Sequence, residues 1–174
     1  VYIMFKVMIY QYLFLFFMMA FLGWIGEVIY AAIIEKKFVN RGFLNGPFCP
    51  IYGIGAVLID LFLSRFIHSI VIVFFGAFLL GSIVEWVAGF ILEKFFKQRW
   101  WDYSDEAFNI SGYICLSFSI LWGIVGVLGV NFIIPFMKKI IWIIPQIAGN
   151  IIIISILVVF IADLTITIII AAKL

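Results

Sequence analysis

Charge is what this chain has least of. Only 11% of its 174 residues are Asp, Glu, Lys or Arg, against about 25% in ordinary soluble domains. With 67% hydrophobic residues and a mean hydropathy of +1.31, a water-soluble core of this length could not bury the apolar side chains. The solvent is therefore lipid. Histidine occurs once and cysteine twice, with no C-x-x-C or H-x-x-x-H, so no metal-site motif is offered. No G-x-x-x-x-G-K-[ST] phosphate loop is present, so any use of ATP needs another chain. The basic residues are scattered, which argues against the basic stripe of a nucleic-acid binder. No nucleophile–base pair stands out, and the reading is of a non-enzyme without a cofactor.

What is present is a series of apolar runs of membrane-spanning length. They predict an all-α, polytopic membrane bundle of about five transmembrane helices, over roughly 8–34, 49–67, 70–92, 112–134 and 148–171, in one integral membrane domain covering residues 1–174. The first run is too long for a signal peptide and lacks an A-x-A-like end, so it reads as a retained helix. "PFMKKIIWIIPQ" has Pro135 and Pro145 as punctuation and predicts a short interfacial segment. The "SRFIH" link suits either a hairpin or a kinked continuation.

Lys36, Lys37, Arg41, Lys94, Lys97, Arg99 and Lys173 fall on one side of this arrangement, and Lys6, Arg65, Lys138 and Lys139 on the other. Positive charge favours the cytoplasm. The expected topology in the cell membrane places the 35–47 and 94–111 loops and the C-terminus inside, with the N-terminus outside.

Residues 23–38, "GWIGEVIYAAIIEKKF", align without gaps on residues 81–96, "GSIVEWVAGFILEKFF", with Gly, Glu, Glu and Lys among the identities. Gly46 and Gly112 then correspond, each three residues before a cysteine, Cys49 and Cys115. The first four helices thus read as two parallel helix–loop–helix repeats, about 21–67 and 79–134, related by an axis along the membrane normal.

Gly23, Glu27 and Ala31, and likewise Gly81, Glu85 and Gly89, recur every fourth residue and share a helix face. Small residues at that spacing allow close helix approach. Each stripe carries a carboxylate roughly 12 Å inside its helix end. Acids at such depth face a bundle interior, a partner or a wet cavity. The pair could bind or relay charge across the axis, or be held structurally by Arg, Trp or backbone. Asp163 could join the same cavity, with Thr165 and Thr167 nearby, or merely cap a helix contact; Asp60 is the other intramembrane acid.

"NRGFLNGPFCPIYG", residues 40–53, is too polar and bend-prone for a helix. It reads either as a loop folded back onto the bundle, presenting Asn40, Arg41 and Asn45, or as an interfacial turn. In the second copy Asp102 is placed to pair with Arg41 or Arg99, beside Tyr103 and Asn109. The cysteines read as small buried apolar residues, and a cytoplasmic location disfavours a disulfide.

"GWIGEVIY", "NRGFLNGPFCPIYG", "WWDYS" and "FNISGYICLSFSILWG" together resemble the CmpB-like, ABC-transporter type IV family of bacterial membrane proteins, over residues of about 21–136. That resemblance implies a permease-like component working with a partner subunit. The site residues expected for substrate or transport are Glu27, Glu85, Asn40, Arg41, Asn45, Asp102, Tyr103 and Asn109. The expected partners are the lipid bilayer and either a second copy or a membrane or ATPase subunit. A non-transporting scaffold that docks another protein is the alternative, and a lipid-modifying enzyme a distant third.

Overall fold

The computed structural model describes residues 2–34, 36–40 and 42–173, with side chains from Met8 onward. The helices are α1 (Tyr2–Ile34), α2 (Pro50–Leu63), α3 (Ile70–Phe96), α4 (Leu116–Leu128), α5 (Ile134–Ile143) and α6 (Gln146–Ala171). A short 3-10 turn, Ser64–Phe66, follows α2. Among the described residues the only β feature is one antiparallel bridge, Ile110 with Ile114. Helix is what lipid demands, because it satisfies the backbone within the segment. The chain forms two compact units, Val1–Gly53 with Phe136–Leu174, and Ile54–Pro135.

In the first unit α1 and α6 run parallel. The Tyr10 hydroxyl lies where a Cβ on Gly149 would sit, and Phe14 is buried with Ile153 and Ile141. Further along, Phe17 packs edge-on against Phe160, with centroids 5.4 Å apart. Spans alternate in direction, so parallel α1 and α6 require an odd number of crossings from one to the other. Four helical stretches are individually long and apolar enough to span: Met8–Ile34, Ile70–Phe96, Leu116–Ile143 and Gln146–Ala171. The fifth crossing must then be α2, whose 14 residues reach only about 21 Å. The non-helical segment before it supplies the missing depth.

In the second unit the "SRFIH" link is a hairpin. The Ser69 hydroxyl accepts from the Ile72 amide to start α3, and Leu63 at the end of α2 covers Gly76 of α3. Asp60 is buried and accepts from the Ser64 hydroxyl at 2.5 Å. α3 and α4 lie antiparallel along small residues. A Cβ on Gly126 would stand 2.1 Å from that of Ala77, and the Ser82 hydroxyl donates to Ser119 at 2.7 Å. The stripe expected at Gly81, Glu85 and Gly89 is buried along its whole length.

Helix four differs from expectation at both ends. It starts at Leu116 rather than near 112, because Gly112 is left-handed and Cys115 extended. It also runs through Pro135, so the separate interfacial segment expected there is a continuous helix. Proline lacks an N–H and its ring crowds the carbonyl four residues back. The helix widens into one π turn, Gly129–Ile133, and the Ile134 amide reaches Gly129 O instead. Asn131 Nδ2 donates to Val127 O at 2.8 Å alongside. The result is a 28-residue stretch, Leu116–Ile143. Its length of about 42 Å exceeds the hydrocarbon thickness, and it carries Lys138, Lys139 and the exposed Trp142 near its far end.

Candidate functional site

The polar segment before α2 folds back along α1. The Cys49 amide donates to Ala20 O at 2.9 Å, and Ala20 lies 14 residues, about 21 Å, from the end of α1. Within the segment, Asn40 Nδ2 donates to Leu44 O and Asn45 O at 3.0 and 2.9 Å, while its Oδ1 accepts from Trp24 Nε1 at 3.0 Å. Asn40 thus braces the loop and ties it to α1. Phe48 extends the attachment, ringed by Phe17 and Phe160.

Asp163 of α6 closes the other side. Its carboxylate accepts from the Gly46 amide at 2.8 Å, the Asn45 amide at 3.3 Å and Asn45 Nδ2 at 3.2 Å. Asn45 Nδ2 also donates to Thr167 Oγ1 at 2.7 Å. This geometry makes Asp163 a latch on the loop backbone, a role distinct from both a cavity carboxylate and a cap on a helix contact. Thr165 takes no part, its hydroxyl donating to Ile161 O within α6.

Glu27 sits beside the re-entrant backbone and accepts from the Tyr52 hydroxyl. Gly23, one turn earlier, leaves room for that ring, because a Cβ there would fall 2.3 Å from Tyr52 Cγ. Glu27 is half-buried.

In the second unit Glu85 is 6% exposed. It accepts from Tyr103 at 3.1 Å and from Trp122 Nε1 at 3.2 Å. Gly81 makes room for Trp122 and Gly89 for Tyr113 and Trp101. Tyr103 is stacked on Phe118 at 4.6 Å, which fixes the hydroxyl over the carboxylate. Glu85 is thus held by two rigid aromatic donors.

Asp102 does pair with Arg99, at 3.1 Å, and Arg99 Nε also meets Glu93 at 2.7 Å. Asn109 donates to Ser104 O and Glu106 O and accepts from the Gly112 amide, so it braces its own loop. The loop between α3 and α4 therefore brings Tyr103 to Glu85, while Asp102 and Asn109 organise its outer, exposed part. Arg41 lies outside the described residues, as does Glu35, the terminal acid of the first stripe. Cys49 and Cys115 are buried free thiols.

Hydrogen bonds from the Ser104 hydroxyl and amide hold the Asp102 carboxyl below its ordinary range, and Arg99 adds to the effect. A depressed carboxyl contributes order that is complete above its unfolded range, about pH 4, and is lost as pH falls through the folded value. Pepsin cleavage between Lys97 and Cys115, taken relative to that of an unstructured peptide at the same pH, is therefore expected to rise only below about pH 4. Asp102→Asn should abolish that acid-specific acceleration. Equal acid curves for both proteins would contradict it.

Tyr52, Trp122, Trp24 and Ala20 were not singled out as site residues by sequence reasoning. A glycine one turn before each acid was the available signal, because it marks where an aromatic ring enters.

The architecture and the buried acids define a multi-pass helical membrane protein. The family model described as "Putative ABC-transporter type IV" matches residues 14–168, and the chain belongs to that family. The match reaches into α6, which the sequence motifs reached only loosely. No curated protein and no solved structure matches the chain.

Proposed function

We propose that the chain is a permease-type membrane subunit in which Glu27 is the charge-bearing transport group and the 40–53 segment lines and gates its access. The observation that carries this reading is the segment itself. Non-helical backbone at membrane depth is tolerated only against protein or beside a cavity, and here it ends on the tyrosine that meets Glu27. Glu27, only half-buried, is placed to exchange its partner. Glu85, buried between Tyr103 and Trp122, serves as the structural counterpart. A duplicated helix–loop–helix origin accounts for both, since in each half a glycine one turn before the acid admits the aromatic donor. The donors themselves arise at different places in the two halves, so each half has solved the same problem with its own residues.

In this reading the two long loops face the cytoplasm, where a partner ATPase or a second copy would dock. The non-transporting scaffold is the second reading, and the locked environment of Glu85 is what favours it.

Proteoliposomes loaded with a pH-sensitive dye, under a potassium diffusion potential, test charge movement directly. Flux above empty liposomes is expected, falling at least tenfold in Glu27→Gln, about 1.4 kcal/mol on the barrier. Glu85→Gln should lower thermal stability and leave flux per folded molecule within twofold. Unchanged flux in Glu27→Gln would remove Glu27 from the path. No flux in any form, with stable co-purification of a partner protein, would favour the scaffold.

A further inference from the structure

An apolar groove on the second unit is used by none of the chemistry above. It has a volume of about 490 Å³ and lies between α3 and the start of α4, with Leu79, Ile83, Trp86, Ile114 and Leu116 along it and Phe108 at its lip. That volume falls in the range of small-molecule sites, about 300–1,000 Å³. Leu79 and Ile83 are each 58% exposed, and both belong to a helix long and apolar enough to span the bilayer.

The groove continues into an aromatic shelf that ends in positive charge. Trp86 stacks flat on Phe90, with centroids 5.3 Å apart and planes 4° from parallel. Tyr113 meets both rings edge-on. Lys94 Nζ lies 5.5 Å above the Phe90 ring, and the Arg99 guanidinium 5.2 Å above Tyr113. The charge of Arg99 is shared with Glu93 and Asp102. Among the described residues Lys94 has no carboxylate partner.

We propose that this groove holds one acyl chain of an anionic glycerophospholipid from the surrounding bilayer, with the lipid phosphate at Lys94. Three features match that occupant. The lining is apolar where the chain would lie. From Phe78 to Lys94 the groove and its shelf run 16 residues of α3, about 24 Å, close to one leaflet with its headgroup layer, half of about 40–45 Å. The cation stands at the far end of that surface, toward the end of α3, where a phosphate sits, with the stacked Trp86 and Phe90 rings between it and the groove. A second copy or a partner helix would cover the apolar part but leave Lys94 unexplained.

The test uses the full chain in nanodiscs of phosphatidylcholine doped with phosphatidylglycerol that carries a photoactivatable acyl chain. Cross-links mapped by mass spectrometry should concentrate on residues 78–86 and 108–119. Ile83→Trp and Leu79→Trp fill the groove from exposed positions and should each lower that labelling at least tenfold. Lys94→Gln should retain labelling by the photoactivatable phosphatidylcholine analogue and lose the preference for phosphatidylglycerol. Labels spread evenly over all apolar helix faces would overturn the site, and so would labelling unchanged by both tryptophans. Loss of a dimer in Ile83→Trp, without loss of bound lipid, would give the groove to a second copy.

Discussion

Replacing Asp163 with alanine is expected to release the re-entrant segment and expose Cys49. Three donors, the Asn45 and Gly46 amides and Asn45 Nδ2, converge on this one carboxylate. Bonds between transmembrane elements average about 0.6 kcal/mol, and those to a charged acceptor reach about 1.5–3 kcal/mol. Their joint loss should shift the opening equilibrium by about 2–4 kcal/mol. Since each 1.4 kcal/mol is tenfold, Cys49, now 5% exposed, should react with a membrane-permeable maleimide roughly 30-fold to several-hundred-fold faster. A Cys115→Ala background isolates the signal. Asp163→Asn keeps one acceptor oxygen and should fall between. If the alanine variant labels at the wild-type rate, α6 does not hold the segment.

The second large effect belongs to Gly81. A Cβ there would stand 2.4 Å from Trp122 Cγ and 2.7 Å from Trp122 Cβ. The crowded atoms are the base of the indole, which cannot swing aside without withdrawing Nε1 from Glu85. Gly81→Val should therefore combine overpacking, typically about 1–3 kcal/mol, with loss of a buried donor to a carboxylate. An expected cost of about 3–5 kcal/mol corresponds to a fall of roughly 6–20 °C in Tm, readable by thermal-shift size exclusion in detergent. Gly26→Ala is the control. Nothing lies within 4 Å of a Cβ at that position, and alanine's better helix propensity should leave stability unchanged or raised. Similar losses in both variants would mean that glycine matters here for backbone reasons alone.

Period and length made the spans legible, and the stripe through Gly81, Glu85 and Gly89 was legible as a packing surface because small residues recurred every fourth position. The continuation through Pro135 was not, since the π turn that relieves the proline depends on Asn131 and Gly129 in ways no spacing rule encodes. The candidate site was half visible. Acids inside apolar helices announce themselves by their cost, which is why Glu27, Glu85 and Asp163 stood out. Their partners did not, because Tyr52 and Trp122 are ordinary members of a chain that is 20% aromatic. Which aromatic meets which acid is decided by tertiary packing. Asn45 shares its acceptor on Asp163 with the loop's own backbone, a pairing that needed α6 in place.

The attachment of Cys49 to Ala20 joins one main chain to another. Side-chain substitution cannot delete it, so Cys49→Ala would report a tolerant position and miss one of the firmest ties the segment has. Only chemistry that alters the amide itself, an ester at position 49 or a proline there, would reveal it. Natural sequence variation should obey the same logic. Position 49 should accept any small residue except proline, and position 20, fully buried beside that amide, should stay small, so the two sites would be constrained without ever covarying.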